Sequence, residues 1–373
     1  MIEASTSYDP CDRRDTPLAL KLKARIRSHG PIPVDQYMHA CLYDPEHGYY
    51  VKQAAIGALG DFVTAPEISQ VFGELIGLWS AVVWQQMGSP KTFDLVEYGP
   101  GRGTLMADAL RALARVPHFL DAARVRLVEV SPVLRQAQRD KLAASPASIT
   151  WHETLADEVE PAPSILIANE VLDAAVVEQW AGTDQGIAGI RSVTLDDAGQ
   201  LQFCTRIDGS GIEGSGIEPD RTDIAEVREL HPLIARDMKA LPLAAALLID
   251  YGHAKSTNGD TLQAVRNHRF EHPLTSPGEA DLTAQVDFEL LADQCRSISL
   301  SVDGPVTQAE FLGALGIVQR GSRLMAANPA LAGQIEVAIA RLLSPTGMGT
   351  RFKAIGIRSG LDLPLPGLIP AVR

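Results

Sequence analysis

The chain has few cysteines, a shortage of positive charge and no long apolar run. Its four cysteines, Cys11, Cys41, Cys204 and Cys295, stand far apart in 373 residues with no C-x-x-C pair. That excludes a disulfide framework and points to reduced thiols in a reducing compartment. His268 and His272 have H-x-x-x-H spacing but lack the glutamate of a zincin motif, so no metal is expected. Basic residues number 33 against 46 acidic ones, a net charge of −13. A general nucleic-acid or anionic-membrane binder needs a basic footprint, so neither partner is expected. The excess of acid suits a cationic partner, or serves solubility alone. The apolar stretch LPLAAALLID is short and ends in an acid, so no membrane span is expected. The opening MIEASTSYDPCDRRD has neither an apolar signal core nor an Arg-rich, acid-poor transit character; a cytoplasmic protein is the expectation.

What is present centres on FDLVEYGPGRG, Phe93 to Gly103. An apolar run ends in Glu97 and opens into Gly99, Gly101 and Gly103. A helical pattern, TLMADALRALARV, follows from Thr104. Strand, tight glycine turn and helix form the first unit of a doubly wound α/β nucleotide fold. A second apolar strand, VRLVEVSP, reaches Glu129, an acid placed to accept hydrogen bonds from a ribose. A dinucleotide site wants G-x-G-x-x-G, but the last position falls on Thr104 or Met106. E-x-G-x-G-x-G instead resembles motif I of the class I S-adenosylmethionine-dependent methyltransferases.

Alternating strands and helices predict an α/β fold, a mostly parallel sheet with helices on both faces. Strands are expected at Phe93–Glu97, Val125–Val130, Ile149–Trp151, Ile165–Ala168 and Ala246–Asp250, then SISLSV and TRFKAIGIRS. The expected organisation is a loose terminus at 1–16, a helical segment with a lid at 17–90, a core at 91–175, an insertion at 176–240 and the rest of the core, with helical additions, at 241–373. Within the insertion, RSVTLDDAGQLQFCTRI reads as an antiparallel hairpin and the tandem GSGIE-GSGIE as a flexible loop.

Several strings resemble the MidA-like family of mitochondrial complex I assembly methyltransferases and their bacterial relatives. They are CLYDPEHGYY, GDFVTAPEISQVFGEL, VEYGPGRGTLMADALR, ANEVLDA, IDYGH, DTLQAVRNHR, PGEADLTAQVDF, GPVTQAEFL and MGTRFK, over roughly Ile32 to Ile357. The resemblance implies a class I methyltransferase core with an added lobe, S-adenosylmethionine as cofactor, and methylation of a protein arginine on a complex I subunit. Ala175 and Val176 replace the family's Leu-Pro, Gln285 replaces a histidine, and a Trp-Arg-Glu-Arg-like string is absent. A methyltransferase acting on a small molecule or another protein site, and a non-catalytic assembly factor, remain as alternatives.

Methyl transfer from a sulfonium is an in-line displacement that needs alignment, water exclusion and a free lone pair. A cationic acceptor beside a cationic donor calls for an acidic site. Asn169, Glu170 and Asp173 stand just past the fourth strand. Asn169 joins the cofactor set of Glu97, the three glycines and Glu129, while Glu170 and Asp173 could grip a guanidinium. Asp173 could equally cap a helix. Asp250, Tyr251 and His253 follow the next strand, with His253 a candidate proton acceptor and the other two candidate acceptor contacts. Asp61, Phe62, Thr64 and Glu67 lie in GDFVTAPEIS. The family resemblance suggests that this segment folds over the methyl donor, although Pro66-Glu67 also suits a plain helix start. Trp151, His152 and Glu153 could frame an adenine.

Overall fold

The computed structural model describes residues 9, 11–52, 63–155, 162–182, 188–207, 216–219, 223–231 and 233–368. The run Phe93–Tyr98 (β1) is buried along its whole length, as a parallel strand covered on both faces must be. It lies between β2 (Ala123–Val128) and β4 (Ser164–Asn169), parallel to both. β3 (Ser148–His152) flanks β2, and β5 (Ala244–His253) runs parallel beside β4. β6 (Ser301–Thr307) and β7 (Phe352–Ser359) close the sheet, with β7 antiparallel to both β5 and β6. The resulting order is 3-2-1-4-5-7-6. It reverses between β1 and β4, the switch point where open α/β sheets receive ligands at their carboxyl ends. This is the expected mostly parallel sheet, with its last two strands adding an antiparallel edge.

Helices Gln70–Gln86 (α3) and Thr104–Leu113 (α4) share one core with β1 and β2. Trp79 and Trp84 are 1% and 6% exposed there, core residues as read from the apolar helix pattern. Ser69 caps α3 by accepting from the Val71 N–H at 3.3 Å. Helix Phe288–Ser297 (α6) covers the opposite face. A second lobe joins two earlier helices, Pro17–His29 (α1) and Val34–Tyr43 (α2), to an antiparallel sheet. That sheet holds the expected hairpin, Ala188–Leu195 with Leu201–Ile207, turning at Asp196–Gly199.

Four local expectations are corrected. Residues 11–16 are tied down rather than loose: the Arg14 N–H donates to Thr275 O at 2.8 Å and the Thr16 hydroxyl to Pro277 O at 2.7 Å. The stretch 17–90 serves two cores, because α1 and α2 pack on the second lobe while α3 packs on the central sheet. In the tandem repeat, Gly216–Pro219 pairs as a strand with Cys204–Ile207; residues 208–215 lie outside the described set. In SISLSV, Ser297 ends α6 and Ile298–Leu300 form its closing turn, with the Leu300 N–H on Cys295 O at 3.1 Å. Alternating residues there mimic a strand, but the paired strand begins at Ser301.

Candidate active site at the switch point

The site grows from the carboxyl ends of β1, β2 and β4. After β1 the chain turns through Gly99, Gly101 and Gly103 with φ of 58°, 53° and 78°. Such left-handed backbone is open to glycine and costly for other residues. The turn is also closely packed, since a Cβ at Gly99 would meet Val171 Cγ2 at 2.9 Å.

Three acids face this turn with different surroundings. Glu97 is 3% exposed, and its Oε2 has no hydrogen-bond partner among the described residues. Burial, with Glu129 close by, pushes its carboxyl up to about 8. Glu129, 7% exposed, is better satisfied. One oxygen accepts from the Ser131 N–H at 2.9 Å and the other from Gln138 Nε2 at 3.3 Å. Burial still raises it, against those hydrogen bonds. Glu170 stands in left-handed backbone, φ 56°. Its Oε1 accepts from the Ala65 N–H and from Asn169 Nδ2, each at 3.1 Å. Burial pushes it up to about 7, opposed by the Ala65 N–H. Asn169 Oδ1 is a second buried acceptor without a partner among the described residues. Two unmet acceptors at the ends of adjacent strands suit a cationic group, because a buried lone pair without a donor is costly.

The Glu170 contact also seats the short helical turn Ala65–Ile68. Glu67 on that turn accepts from the Thr104 hydroxyl, which also receives Lys141 Nζ. The turn is thereby fastened to both β4 and the start of α4. Thr64 begins it through its carbonyl, which accepts from Glu67 and Ile68, and its side chain makes no cap bond. Asp61 and Phe62 lie outside the described residues.

The β5 residues are placed differently from the expectation. β5 runs past the expected end at Asp250 to His253, so Asp250 lies inside the strand and Tyr251 belongs to the sheet and not to a loop beyond it. Asp250 is 0% exposed. Its Oδ2 accepts from the N–H groups of Val171, Leu172 and Asp173 at 3.1, 2.9 and 3.1 Å, and its Oδ1 from the Tyr251 N–H at 2.9 Å. It is committed to the backbone that carries Glu170 and Asp173 and faces no acceptor directly. Asp173 accepts from its neighbour Ala174 N–H at 2.9 Å and starts no helix. Burial raises it to about 6, with Arg228 opposing. The Tyr251 hydroxyl donates to Thr283 and accepts from Gln263. His253 faces Asp287 at 3.7 Å, in a cavity lined also by Arg228, Gln285 and Leu172. Glu170 does not line that cavity, so the proton-acceptor expectation for His253 lacks its geometry.

The sequence reading missed Gln138. Helix Pro132–Leu142 (α5) buries Leu134, Gln138 and Leu142 in one stripe. A polar residue at i+4 within an apolar stripe was the available signal. Trp151 donates to this glutamine at 2.9 Å and carries Arg139 over its ring. His152 engages Thr150, and exposed Glu153 pairs with Arg135. Among the described residues no group of three or more His, Cys, Asp or Glu is placed to hold a metal, and no helix is long and apolar enough to cross a membrane.

Residues 75–306 match the family described as "Putative S-adenosyl-L-methionine-dependent methyltransferase". The chain belongs to this family. Its relatives include a protein from Drosophila melanogaster named as a protein arginine methyltransferase NDUFAF7 homolog, mitochondrial. The two are 35% identical over 92% of this chain and 85% of that one. The Homo sapiens protein arginine methyltransferase NDUFAF7, mitochondrial, is 34% identical over 93% of this chain and 85% of that one. A crystal structure of a COG1565 superfamily member from Burkholderia thailandensis, bound to S-adenosyl-homocysteine, superposes with a TM-score of 0.81. It is 30% identical and covers 94% of each chain. Family, fold and glycine turn agree on an S-adenosylmethionine-dependent methyltransferase. The expectation of a cytoplasmic protein does not stand, because relatives matched over most of their length are named as mitochondrial. It rested on the charge and hydropathy of the first fifteen residues, which are too few to decide a compartment.

Proposed function

We propose that the protein transfers a methyl group from S-adenosylmethionine to an arginine side chain of another polypeptide, a respiratory complex I subunit during assembly. The observation that carries the reading is the run of acids at the switch point: Glu97 and Glu129 beside the glycine turn, and Glu170 and Asp173 one strand away. The cofactor supplies an electrophilic methyl on a sulfonium. Gly99, Gly101 and Gly103 would let it press against backbone, with Glu97 and the Asn169 carbonyl toward its cationic amino-acid end and Glu129 toward its ribose. Glu170 and Asp173 would align a guanidinium and offset the repulsion between two cations. A Glu170 carboxyl near 7 would also take up the proton that the methylated nitrogen gives away. The names of the relatives support arginine as acceptor. The turn carrying Thr64 and Glu67 would close over the donor; Asp61 and Phe62, read as part of the same segment, lie outside the described residues. Hydrogen exchange of Val63–Ser69 should slow when S-adenosyl-homocysteine is added; unchanged exchange would remove the lid.

The test is methylation of the protein's own cell lysate with radiolabelled S-adenosylmethionine, followed by acid hydrolysis for methylarginines. Wild type should label a polypeptide on arginine. Glu170→Gln keeps both acceptor contacts of Oε1 and removes one charge. It should cut transfer at least tenfold while S-adenosyl-homocysteine affinity stays within about 1 kcal/mol. Label found only in small molecules would replace the acceptor; unimpaired transfer in the variant would remove Glu170 from the mechanism.

A further inference from the structure

Gln138 is 0% exposed yet sits on the polar helix α5, and its carboxamide touches three separate strand ends. Nε2 donates to Gly101 O at 2.7 Å, in the turn after β1, and to Glu129 Oε2 at 3.3 Å, after β2. Oε1 accepts from the Trp151 indole N–H at 2.9 Å, on β3. Two acceptors lie at one end of the amide and a donor at the other, so the network fixes its orientation; the flipped amide would set oxygen against two oxygens. The stem matters too, because a Cβ at Gly103 would stand 3.3 Å from Gln138 Cγ. Pulling the Gly101 carbonyl onto the helix turns the Arg102 N–H of the same trans peptide the opposite way.

We infer that Gln138 is the positioning residue of the cofactor site: it sets the glycine turn, the ribose acid and the Trp151 indole against one another before any ligand arrives. It acts through those groups and needs no contact with the cofactor. A carboxamide is the side chain that fits. Glutamate has the same shape but presents only oxygens to Gly101 and Glu129 when ionised. Leucine keeps the bulk and leaves both acceptors and the indole donor unpaired, which is costly in a buried site.

The inference rests on the cofactor reading of the glycine turn and is independent of the acceptor. Its test is calorimetric titration of the full-length protein with S-adenosyl-homocysteine, comparing wild type, Gln138→Glu and Gln138→Leu between pH 5.5 and 8.5. Both variants should bind at least tenfold more weakly at pH 8. The ratio of the Gln138→Glu Kd to the wild-type Kd should shrink toward acid pH, because a protonated glutamate regains a donor for Gly101 or Glu129. Gln138→Leu adds no titrating group and is the control for the change that losing the amide makes to the titration of Glu129. A merely structural role would lower the melting temperature without producing that pH dependence. If a variant is too unstable to titrate, the rise in its melting temperature on adding S-adenosyl-homocysteine reads the same loss. Both variants binding within twofold of wild type, or a Kd ratio that ignores pH, would overturn the role. Wild type failing to bind S-adenosyl-homocysteine would instead overturn the cofactor site itself.

Discussion

The protein buries two polar clusters built on opposite terms. In the second lobe, Arg191 is 4% exposed. Its Nη1 donates to Gln179 Oε1 at 2.8 Å and Asp260 Oδ2 at 2.6 Å, and its guanidinium lies 3.8 Å from the Phe203 ring centre. Gln179 passes the network on to Glu226 at 2.7 Å, and Glu226 holds Thr261 through both backbone and hydroxyl. At the switch point, by contrast, Glu97 Oε2 and Asn169 Oδ1 meet no donor among the described residues, and Glu97 and Glu170 are held well above the usual carboxylate range. One cluster is closed by its own chain and serves to hold the lobe. The other leaves acceptors open among the described residues, at a cost in stability, and in the proposed function these would receive charge from outside.

Gly101→Val should separate the two clusters most strongly. A β-branched residue at φ 53° is strained, and in the proposed function it would stand where the cofactor presses against the turn. It should abolish S-adenosyl-homocysteine binding in calorimetry while leaving the Arg191 cluster, and most of the melting temperature, intact. Retained binding would show that the turn is merely structural. The converse change is Arg191→Met, which removes one partner of a buried charged network and should cost about 3–5 kcal/mol in chemical denaturation. Cofactor affinity should stay within twofold; a large affinity loss would show that the clusters are coupled. Glu129→Ala comes next. It removes an acceptor placed for charge-assisted bonds and should weaken S-adenosyl-homocysteine by about 1.5–3 kcal/mol. An unchanged Kd would take this acid off the ribose.

Over a single pH unit, the smallest effect is the titration of Glu97. Its carboxyl is raised from an ordinary 4.5 to about 8 in the folded protein. Without cofactor, its contribution to stability is therefore complete below about pH 4.5 and is lost as pH rises through 8. In the proposed function Glu97 meets the cofactor as the carboxylate, so affinity should fall as pH drops below 8, by at most about tenfold per unit. Glu97→Gln should flatten that slope. An equal slope in wild type and variant would assign the titration to another group.

The cofactor motif was legible because it is local. Strand, glycines, helix and second-strand acid follow one another along the chain, and each glycine answers to its own backbone angle. The strands and their mostly parallel pairing were legible through alternation, and the long hairpin through its turn residues. What could not be read was which polar groups find each other across the sheet. Asp250 looked like a rim acid, yet three N–H groups from the neighbouring loop converge on it. His253 looked like a proton acceptor, yet a longer strand carries it to Asp287. Gln138 looked like one more polar residue on a charged helix.

By itself the sequence determined the sheet's strand and glycine-turn units, the cofactor class they imply and the set of acids near it. It did so because backbone preferences and hydrophobic period act within a few residues. Only the tertiary structure decided which of those acids are satisfied and which are left open. That depends on donors brought from 37 positions away, as with Thr104 and Glu67, or from 105, as with Ala65 and Glu170. Burial then turns such pairings into raised carboxyl pKa values, and burial belongs to the packed molecule and to no stretch of its chain.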